Sequence, residues 1–287
     1  MMERSPERII HANGVDLCVQ SFGEVGDPAI LLIMGSGASM DWWEDELCER
    51  LAAGGRFAVR YDHRDTGRSI SYEPGAPAYT GRDLVADARS LIDVLGLGRA
   101  HLAGMSMGGA IAQLVALDEP HRVASLTLIS TSPGGSDLPG MSEDTIAMFD
   151  VPAPVWSDRQ AVIDHLVHLA RVSAGRRLPF DEVTFRSVAA RVVDRTTNIE
   201  SAMTNHNRLD GDEEWRHRLG GLSTPTLVIH GTEDPIIPYE HGLALAREIP
   251  GARLLTLDRT GHELPRRDWD AVVPAILEHT AGRLSRM

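Results

Sequence analysis

Short runs that are apolar on both faces recur along this chain and alternate with stretches long enough to form helices. The runs span 29–34, 57–61, 100–103, 123–129, 226–229 and 252–257. The stretches between and after them span 42–53, 82–95, 107–117, 240–248 and 269–284. A strand that is apolar on both faces has to be covered on both faces, as parallel strands are when crossover helices connect them. The pattern therefore predicts an α/β fold, with a mostly parallel, twisted sheet flanked by helices.

The start of the chain follows a different pattern. Asn13 and Gly14 separate the segments 8–12 and 15–19, both of which read as strands. An Asn-Gly pair readily adopts the two left-handed conformations that a two-residue hairpin turn needs. We therefore expect an antiparallel hairpin before the parallel strands begin.

The alternation of strand and helix is interrupted between the strand at 123–129 and the strand at 226–229. From Pro133 to about Gly221 the sequence contains loops and three helical patterns. A capping box at 157–160 is predicted to open the first helix, Asp181 to cap the second over 183–193, and Asn198 to cap the third through Asn205. We expect a core formed by 1–132 and 222–287, and an all-helical insertion at 133–221.

A G-x-S-x-G motif occupies 104–108, directly after an apolar strand and directly before a helix. Glycines on both sides let the backbone turn sharply and pack closely, so that Ser106 is raised above the edge of the sheet. The N–H of Met107, at the start of the following helix, is then aimed at the place where negative charge develops. This arrangement predicts a nucleophilic serine.

A serine hydroxyl needs a base, and the base needs a carboxylate that orients it. After a serine of this kind, the acid and the histidine follow in chain order. Asp234 and His262 each come just after an apolar strand, so both are expected at the same sheet edge as Ser106. We predict Ser106, Asp234 and His262 as the catalytic residues, with Glu233 and Asp258 as competing carboxylates.

The loop after the strand at 29–34 is predicted to supply a second donor for the developing oxyanion. It reads Met34-Gly35-Ser36-Gly37, and Gly35 lets the backbone pass close to a ligand. We assign the backbone N–H groups of Ser36 and Met107 to the oxyanion hole. The competing interpretation is a phosphate loop, but the stretch lacks the lysine and the glycine spacing of nucleotide-binding loops.

The charged residues exclude several chemistries. No lysine occurs among the 287 residues; all 28 basic residues are arginine, against 41 acidic ones, which gives a formal net charge of −13. Schiff-base catalysis, attachment of pyridoxal phosphate and a Walker lysine are therefore excluded. The acidic balance also argues against nucleic acid and anionic membranes as partners.

Metal ligands and membrane segments are not expected either. His165 and His168 stand on a predicted helix without cysteine or carboxylate companions at ligand spacing, so no metal and no cofactor is implied. The apolar runs reach strand length, far short of the ~20 residues that cross a bilayer. Cys18 and Cys48 form no paired framework and are interpreted as packing residues of a reducing compartment. We expect a soluble, cytoplasmic protein.

The motif at 104–108, Asp234 and His262, together with the string Arg-Tyr-Asp-His-Arg-Asp-Thr-Gly-Arg-Ser at 60–69, resemble the α/β-hydrolase superfamily. The resemblance covers nearly the whole chain and implies that the helical insertion is that family's cap. More narrowly, the Met-Gly loop at 34–35 and the string at 60–69 are similar to the aclacinomycin methylesterases, which hydrolyse the methyl ester of a polyketide carboxylate. In the family, the part of this string at 62–69 mainly braces the loops under the active site.

This resemblance implies hydrolysis of a small-molecule carboxylic ester through an acyl-enzyme. A methyl ester of a bulky, hydrophobic, polyketide-like compound fits the methionine and tryptophan residues around the elbow, because methionine adapts to irregular shapes and tryptophan suits flat rings. A lactonase or a C–C bond hydrolase on the same three residues is the alternative, and a non-catalytic binding protein is a third. The residues predicted to line the pocket are Met34, Gly35, Trp42, Trp43, Met105, Phe149, Met203, His206 and Tyr239.

Overall fold

Eight strands form one sheet in the computed structural model, which describes residues 4–209 and 214–281. In chain order the strands are β1 (Arg8–Ala12), β2 (Val15–Phe22), β3 (Ala29–Ile33), β4 (Phe57–Tyr61), β5 (Ala100–Met105), β6 (Val123–Ile129), β7 (Thr226–Gly231) and β8 (Arg253–Leu257). Their order across the sheet is β1-β2-β4-β3-β5-β6-β7-β8. The pairs β1–β2 and β2–β4 are antiparallel and the other five are parallel, so the predicted mostly parallel sheet is confirmed.

Nine α-helices accompany the sheet in the described residues. They are α1 (Asp45–Ala53), α2 (Gly81–Val94), α3 (Met107–Asp118), α4 (Glu143–Phe149), α5 (Arg159–Ser173), α6 (Glu182–Arg195), α7 (Ile199–Thr204), α8 (Tyr239–Glu248) and α9 (Trp269–Thr280). The helix predicted over 42–53 is divided, because a 3₁₀ turn at Met40–Trp42 precedes α1. Residues 282–284 of the predicted last helix lie outside the described residues.

The hairpin turn adopts the conformation that its sequence indicates. Asn13 and Gly14 have φ values of 50° and 76°, both in the left-handed region. Ala12 pairs with Val15 across the turn. Both turn residues are therefore left-handed, as a turn that matches the twist of the two strands requires.

The sheet has a separate apolar core on each face, because successive side chains of a buried strand point in opposite directions. In β3, Leu31 and Ile33 belong to one core, and Ile30 and Leu32 belong to the other. The first core also contains residues of α2 and α3, and the second contains residues of α1 and α9. The helices predicted between the strands therefore cover both faces of the sheet.

Helices α4 to α7 lie between β6 and β7, and no strand occurs in residues 130–209 or 214–225. A third apolar core lies between α5 and α6 and includes Ile163, Leu166, Val188 and Val192. We call this segment the helical insertion; its predicted limits at 133 and 221 stay a prediction, and its residues 210–213 lie outside the described part.

The starts of the insertion's helices test the capping predictions. Asp181 accepts a hydrogen bond from the Thr184 N–H, and Asn198 accepts one from the Ser201 N–H, so both predicted caps are confirmed. The prediction of a capping box at 157–160 is wrong. Asp158 caps α5 instead, through bonds from the N–H groups of Gln160 and Ala161, because its carboxylate reaches both donors at once.

None of the described helices combines the length and the apolar character that a membrane-crossing helix needs.

A buried ion cluster joins the helical insertion to the core. Arg195, at the end of α6, donates to Asp62 Oδ2 at 2.6 Å, to Asp41 Oδ2 at 3.0 Å and to Glu7 Oε1 at 2.7 Å. The side chains of Arg195, Asp41 and Asp62 are 6%, 3% and 0% exposed. Burial raises the pKa of Asp62, and the guanidinium opposes that rise. The Asp62 carboxylate therefore depends on Arg195 to remain charged.

Replacing Arg195 should destabilise the protein strongly. We expect Arg195→Met to lower the free energy of unfolding by about 3–5 kcal/mol, because it leaves the buried Asp62 carboxylate without its cation. Arg159→Met, which breaks the exposed α5–α6 pair between Arg159 and Asp194, should cost no more than about 1 kcal/mol. Urea unfolding followed by circular dichroism measures both, and equal losses would contradict the role given to Arg195.

Candidate active site

Ser106 occupies a strained turn between β5 and α3. Its φ and ψ are 54° and −122°, in a region that residues with a side chain rarely adopt. The glycines two residues away on each side allow this turn. A Cβ at Gly104 would lie 2.2 Å from the carbonyl oxygen of Gly108, and a Cβ at Gly108 would lie 2.1 Å from that of Ile33. The motif is therefore glycine-rich because strand and helix backbones are in contact there.

Hydrogen bonds to the neighbouring strand and loop hold the turn in place. The Ser106 N–H donates to the carbonyl of Ile129 at 3.0 Å. The Ser106 carbonyl accepts from Thr131 Oγ1 at 2.7 Å and from the Gly109 N–H at 2.9 Å. The backbone of the turn is fixed on both sides, which leaves the half-buried side chain to face outward.

Asp234 and His262 lie in the loops that follow β7 and β8, and they are hydrogen bonded to each other. Nδ1 of His262 is 2.8 Å from Oδ2 of Asp234. The other oxygen, Oδ1, accepts from the N–H groups of Ile236 and Ile237 at 3.0 and 2.8 Å. Both oxygens of the carboxylate thus accept hydrogen bonds, and the carboxylate holds the imidazole with its proton on Nδ1 and Nε2 free to accept one.

The competing carboxylates bind elsewhere. Glu233 accepts from the backbone N–H groups of Arg176 and Arg177 at 2.7 and 3.1 Å, on the helical insertion. Asp258 is exposed and pairs with the adjacent Arg259. Neither carboxylate has a hydrogen bond to His262 in the described structure.

His230, at the end of β7, is a neighbour of Asp234 that the sequence interpretation passed over. Its Nε2 lies 2.8 Å from the carbonyl of Ile237 and 3.5 Å from Oδ2 of Asp234. Burial lowers its pKa, so the ring is neutral and carries its proton on Nε2. His230 therefore supports the loop that carries Asp234. Among 12 histidines, nothing in the local pattern distinguished it.

The backbone of the His262 loop is attached to the helical insertion. The His262 N–H donates to the carbonyl of Ser173, the last residue of α5, at 2.7 Å. A Cβ at Gly261 would lie 2.3 Å from the same carbonyl oxygen. The insertion therefore packs directly against the loop that presents the histidine.

The loop after β3, residues 34–38, passes immediately beside Ser106. A Cβ at Gly35 would lie 3.2 Å from the Ser106 Cβ and 3.7 Å from its Oγ, so the loop backbone is packed tightly against the serine side chain. In the described structure no protein group accepts from the Ser36 N–H. The N–H of Met107, as the first residue of α3, has no acceptor within its helix. Two unpaired backbone donors thus lie on the two segments that meet at Ser106.

A cavity of about 550 Å³ opens over these residues, and both Ser106 and His262 line it. Of the residues predicted for the pocket, it is lined by Met34, Gly35, Trp42, Met105, Phe149 and Met203, and also by Ser36. Apolar residues that the sequence did not single out complete it: Ala38, Met141, Leu166, Leu169, Ala170, Phe185, Val188, Ile236 and Leu264. Most of the second set belong to the helical insertion or to the loops of Asp234 and His262, so the folded chain was needed to find them.

Three residues predicted to line the pocket lie elsewhere. Trp43 is 1% exposed and packs in the core with α1 and α9, whereas Trp42 is only partly buried against that core and lines the cavity. Tyr239 begins α8, and its hydroxyl pairs with Thr256 on β8. His206 is buried beneath the cavity wall, where both of its ring nitrogens are hydrogen bonded.

The charged residues that line the cavity are paired. Arg266, the only arginine among the lining residues that the structure describes, binds Glu44. Glu263 accepts from Arg267 at 2.7 Å, and Asp181 caps α6. Among the described residues that line it, the cavity therefore has a largely apolar wall, and its one guanidinium is paired.

A family model described as the alpha/beta hydrolase fold matches residues 28–265. The rhodomycin D methylesterases of Streptomyces sp. strain C5 and of Streptomyces peucetius are each 32% identical to this chain, over 96% of it and 98% of the relative. The solved 2-hydroxy-6-oxo-6-phenylhexa-2,4-dienoate hydrolase of Rhodococcus sp. strain RHA1 has a TM-score of 0.77 at 22% identity, over 97% of this chain and 99% of that one, which is a likeness of fold.

Buried histidines make the stability of the protein depend on pH. His63, fully buried below the loop at 34–38, donates from Nε2 to the carbonyl of Met34 at 2.9 Å, and burial lowers its pKa to about 3. Below about pH 6.5 the unfolded chain binds a proton at this histidine that the folded chain does not, so stability falls as the pH falls. We expect His63→Gln, which retains a donor for Met34, to lose about 2 kcal/mol less than the wild type between pH 7 and pH 5.

The measurement is the free energy of unfolding in urea at both pH values. His121→Gln, at an exposed histidine, is the matched control and should retain the wild-type decline. An unchanged decline in His63→Gln would show that His63 does not stay neutral in the folded chain.

Proposed function

This chain belongs to the α/β-hydrolase family, and on that basis we propose that it is a carboxylic ester hydrolase in which Ser106, His262 and Asp234 are the catalytic residues. The observation that carries the proposal is the hydrogen bond between His262 and Asp234 on the cavity that the strained Ser106 also lines. A serine at such a turn with an oriented imidazole beside the same cavity is suited to acyl transfer.

In the first half of the reaction, His262 Nε2 takes the hydroxyl proton of Ser106 as the oxygen attacks the ester carbonyl. Asp234 holds the imidazole in the required tautomer and stabilises the imidazolium that forms. The carbonyl oxygen, now negatively charged, accepts from the backbone N–H groups of Ser36 and Met107. His262 then gives its proton to the leaving alcohol, and an acyl-enzyme remains.

In the second half, His262 removes a proton from a water molecule, which attacks the acyl carbonyl. The same two N–H groups hold the second oxyanion, and Ser106 takes the proton back as the acid leaves. In each half of the reaction His262 accepts one proton and then releases it, so no metal and no cofactor enters the scheme.

The cavity favours a bulky, neutral acyl group. Its volume of about 550 Å³ is far greater than a short ester needs, and its wall is built largely from methionine, aromatic and aliphatic side chains. Trp42 and Phe185 both line the cavity, with ring centroids 6.0 Å apart and ring planes tilted by 45°, and they offer flat surfaces to a ring system. We propose a methyl ester of a hydrophobic, polyketide-like compound as substrate; the two methylesterase relatives, which are named for rhodomycin D, support this choice.

A lactone or a C–C bond of a dienoic acid remains the second candidate, because the dienoate hydrolase from Rhodococcus shares the fold. A dienoic acid brings a carboxylate into the site, and that carboxylate needs a cation or free N–H groups. Arg266 is engaged by Glu44. This pairing favours the neutral ester over the acid.

A cytoplasmic location stays a prediction. Cys18 and Cys48 are both free and buried, as expected of cysteines that pack in a reducing compartment.

Removing the Ser106 hydroxyl should abolish turnover without unfolding the protein. We expect Ser106→Ala to lower kcat on an aromatic methyl ester by at least about 10³-fold and to prevent labelling by a fluorophosphonate. Ser136→Ala, at an exposed serine outside the cavity, should retain both activities. Turnover by Ser106→Ala at the parental rate would overturn the proposed mechanism.

Acyl-group size should decide the rate. We expect the methyl ester of a multi-ring carboxylic acid that carries no other charge to have a higher kcat/KM than methyl acetate. We expect a dienone acid to be turned over poorly. Phe185→Ala removes one aromatic wall, so it should lower kcat/KM about 10- to 100-fold for the large ester and little for the small one. Val183→Ala, at an exposed residue of the same helix, is the control. Equal losses on both esters would contradict the assigned pocket.

A further inference from the structure

His206 connects the helical insertion to the loop that passes beside Ser106. It begins the 3₁₀ turn His206–Arg208, directly after α7, and is only 6% exposed. We call residues 34–38 the oxyanion loop. His206 reaches this loop from the insertion and lies beside His63, which belongs to the core and binds the carbonyl of Met34.

Both ring nitrogens of His206 bind backbone groups, and those groups determine its protonation state. The Gly37 N–H lies 2.8 Å from Nδ1, and the carbonyl of Arg64 lies 2.9 Å from Nε2. A backbone N–H can only donate and a carbonyl can only accept. The ring must therefore be neutral, with its proton on Nε2 and a lone pair on Nδ1.

The surroundings of His206 favour this neutral form. The rings of His63 and Tyr79 meet it edge-on, with centroids 5.8 and 6.3 Å away. Burial lowers the pKa of His206. The nearby carboxylate, Asp65, is occupied by Tyr79 Oη at 2.6 Å and by Asn205 Nδ2 at 2.9 Å. His206 therefore lacks a carboxylate partner in hydrogen-bond contact that would hold a second proton on the ring.

The contact leaves little freedom to Gly37. Its φ is +68°, and a Cβ there would lie 2.9 Å from the carbonyl oxygen of Ala202 on α7. The bond to Nδ1 fixes the orientation of the peptide that joins Ser36 to Gly37. Because this peptide and the one that carries the Ser36 N–H share the Cα of Ser36, a fixed Gly37 restricts the direction in which the Ser36 N–H can point.

We propose that His206 is a positioning residue for ester hydrolysis: its Nδ1 lone pair holds Gly37 so that the Ser36 N–H is aimed at the oxyanion. This inference rests on the proposed function, which assigns Ser36 to the oxyanion hole. It means that the core does not complete the site alone, because the residue that orients the oxyanion loop comes from the helical insertion.

Two variants separate the two hydrogen bonds of His206. His206→Asn places an amide oxygen near the position of Nδ1, so it can still accept from Gly37 but loses the bond to Arg64. His206→Gln places an amide N–H near the position of Nε2, so it can still donate to Arg64 but loses the bond to Gly37. Each variant removes one buried hydrogen bond, which makes each the control for the other.

We expect His206→Gln to lower kcat at least about 10-fold with KM changed by less than about threefold, because misaligning one oxyanion donor is a milder form of removing it, which costs 10²–10³-fold. His206→Asn should stay within about threefold of the wild type in both constants. Thermal unfolding of both variants records how much stability each has lost. If His206 had a purely structural role, the activity of each variant would fall in proportion to its loss of stability, and the two variants would lose equal activity. That result would overturn the proposal.

A second readout is independent of the ester substrate. A fluorophosphonate reacts with Ser106 through a tetrahedral phosphorus whose oxygen occupies the same hole, so its labelling rate should fall in His206→Gln and not in His206→Asn. If the wild type is labelled by the fluorophosphonate but hydrolyses no ester, the proposed function fails. The ratio of the labelling rates of the two variants then still tests the role of His206. ¹⁵N NMR of histidine in the wild type reports the tautomer directly, and a proton on Nδ1 of His206 would overturn the inference without any variant.

Discussion

The site depends on a backbone contact that only glycine permits. Strand β5 turns into α3 at Ser106 with a positive φ, and the carbonyls of Gly108 and Ile33 lie where side chains at 104 and 108 would be. This contact presses the start of α3 against the end of β3 and so brings the oxyanion loop beside the serine. Gly35 continues the same close packing, since a Cβ at this position would lie only 3.2 Å from the Ser106 Cβ. Strain at one residue is thus maintained by the packing of three elements.

The helical insertion completes the arrangement that the sheet begins. It accepts a hydrogen bond from the backbone of His262 through Ser173, and it holds Gly37 through His206. Arg195 ties it to the core through buried carboxylates, of which Asp62 also accepts from the Met40 N–H just after the oxyanion loop. The insertion therefore does more than roof the cavity, because two of the loops that surround Ser106 take part of their support from it.

Much of the fold could be predicted because the strands are uniform and the turns are distinctive. The buried strands are apolar on both faces, and Asn13-Gly14 has a single favoured turn. The helix α4 was missed, because it has only seven residues and leaves Ile146 and Met148 exposed, so it shows no apolar periodicity. The start of α5 was misjudged by one residue, because Ser157 and Asp158 are both good capping residues and only the geometry decides between them.

The amino-acid pattern alone predicts the order of the elements and places Ser106, Asp234 and His262 after three parallel strands, whose ends meet at one edge of the sheet. The directions of neighbouring side chains became known only from the folded chain. Trp42 lines the cavity while Trp43 enters the core, and His206 binds a backbone N–H instead of facing the cavity. Strand and turn patterns act over a few residues, whereas the direction of a side chain is set by the segments that pack on it. Those segments can be far apart in the chain, because His206 and the Gly37 N–H that it binds are separated by 169 positions.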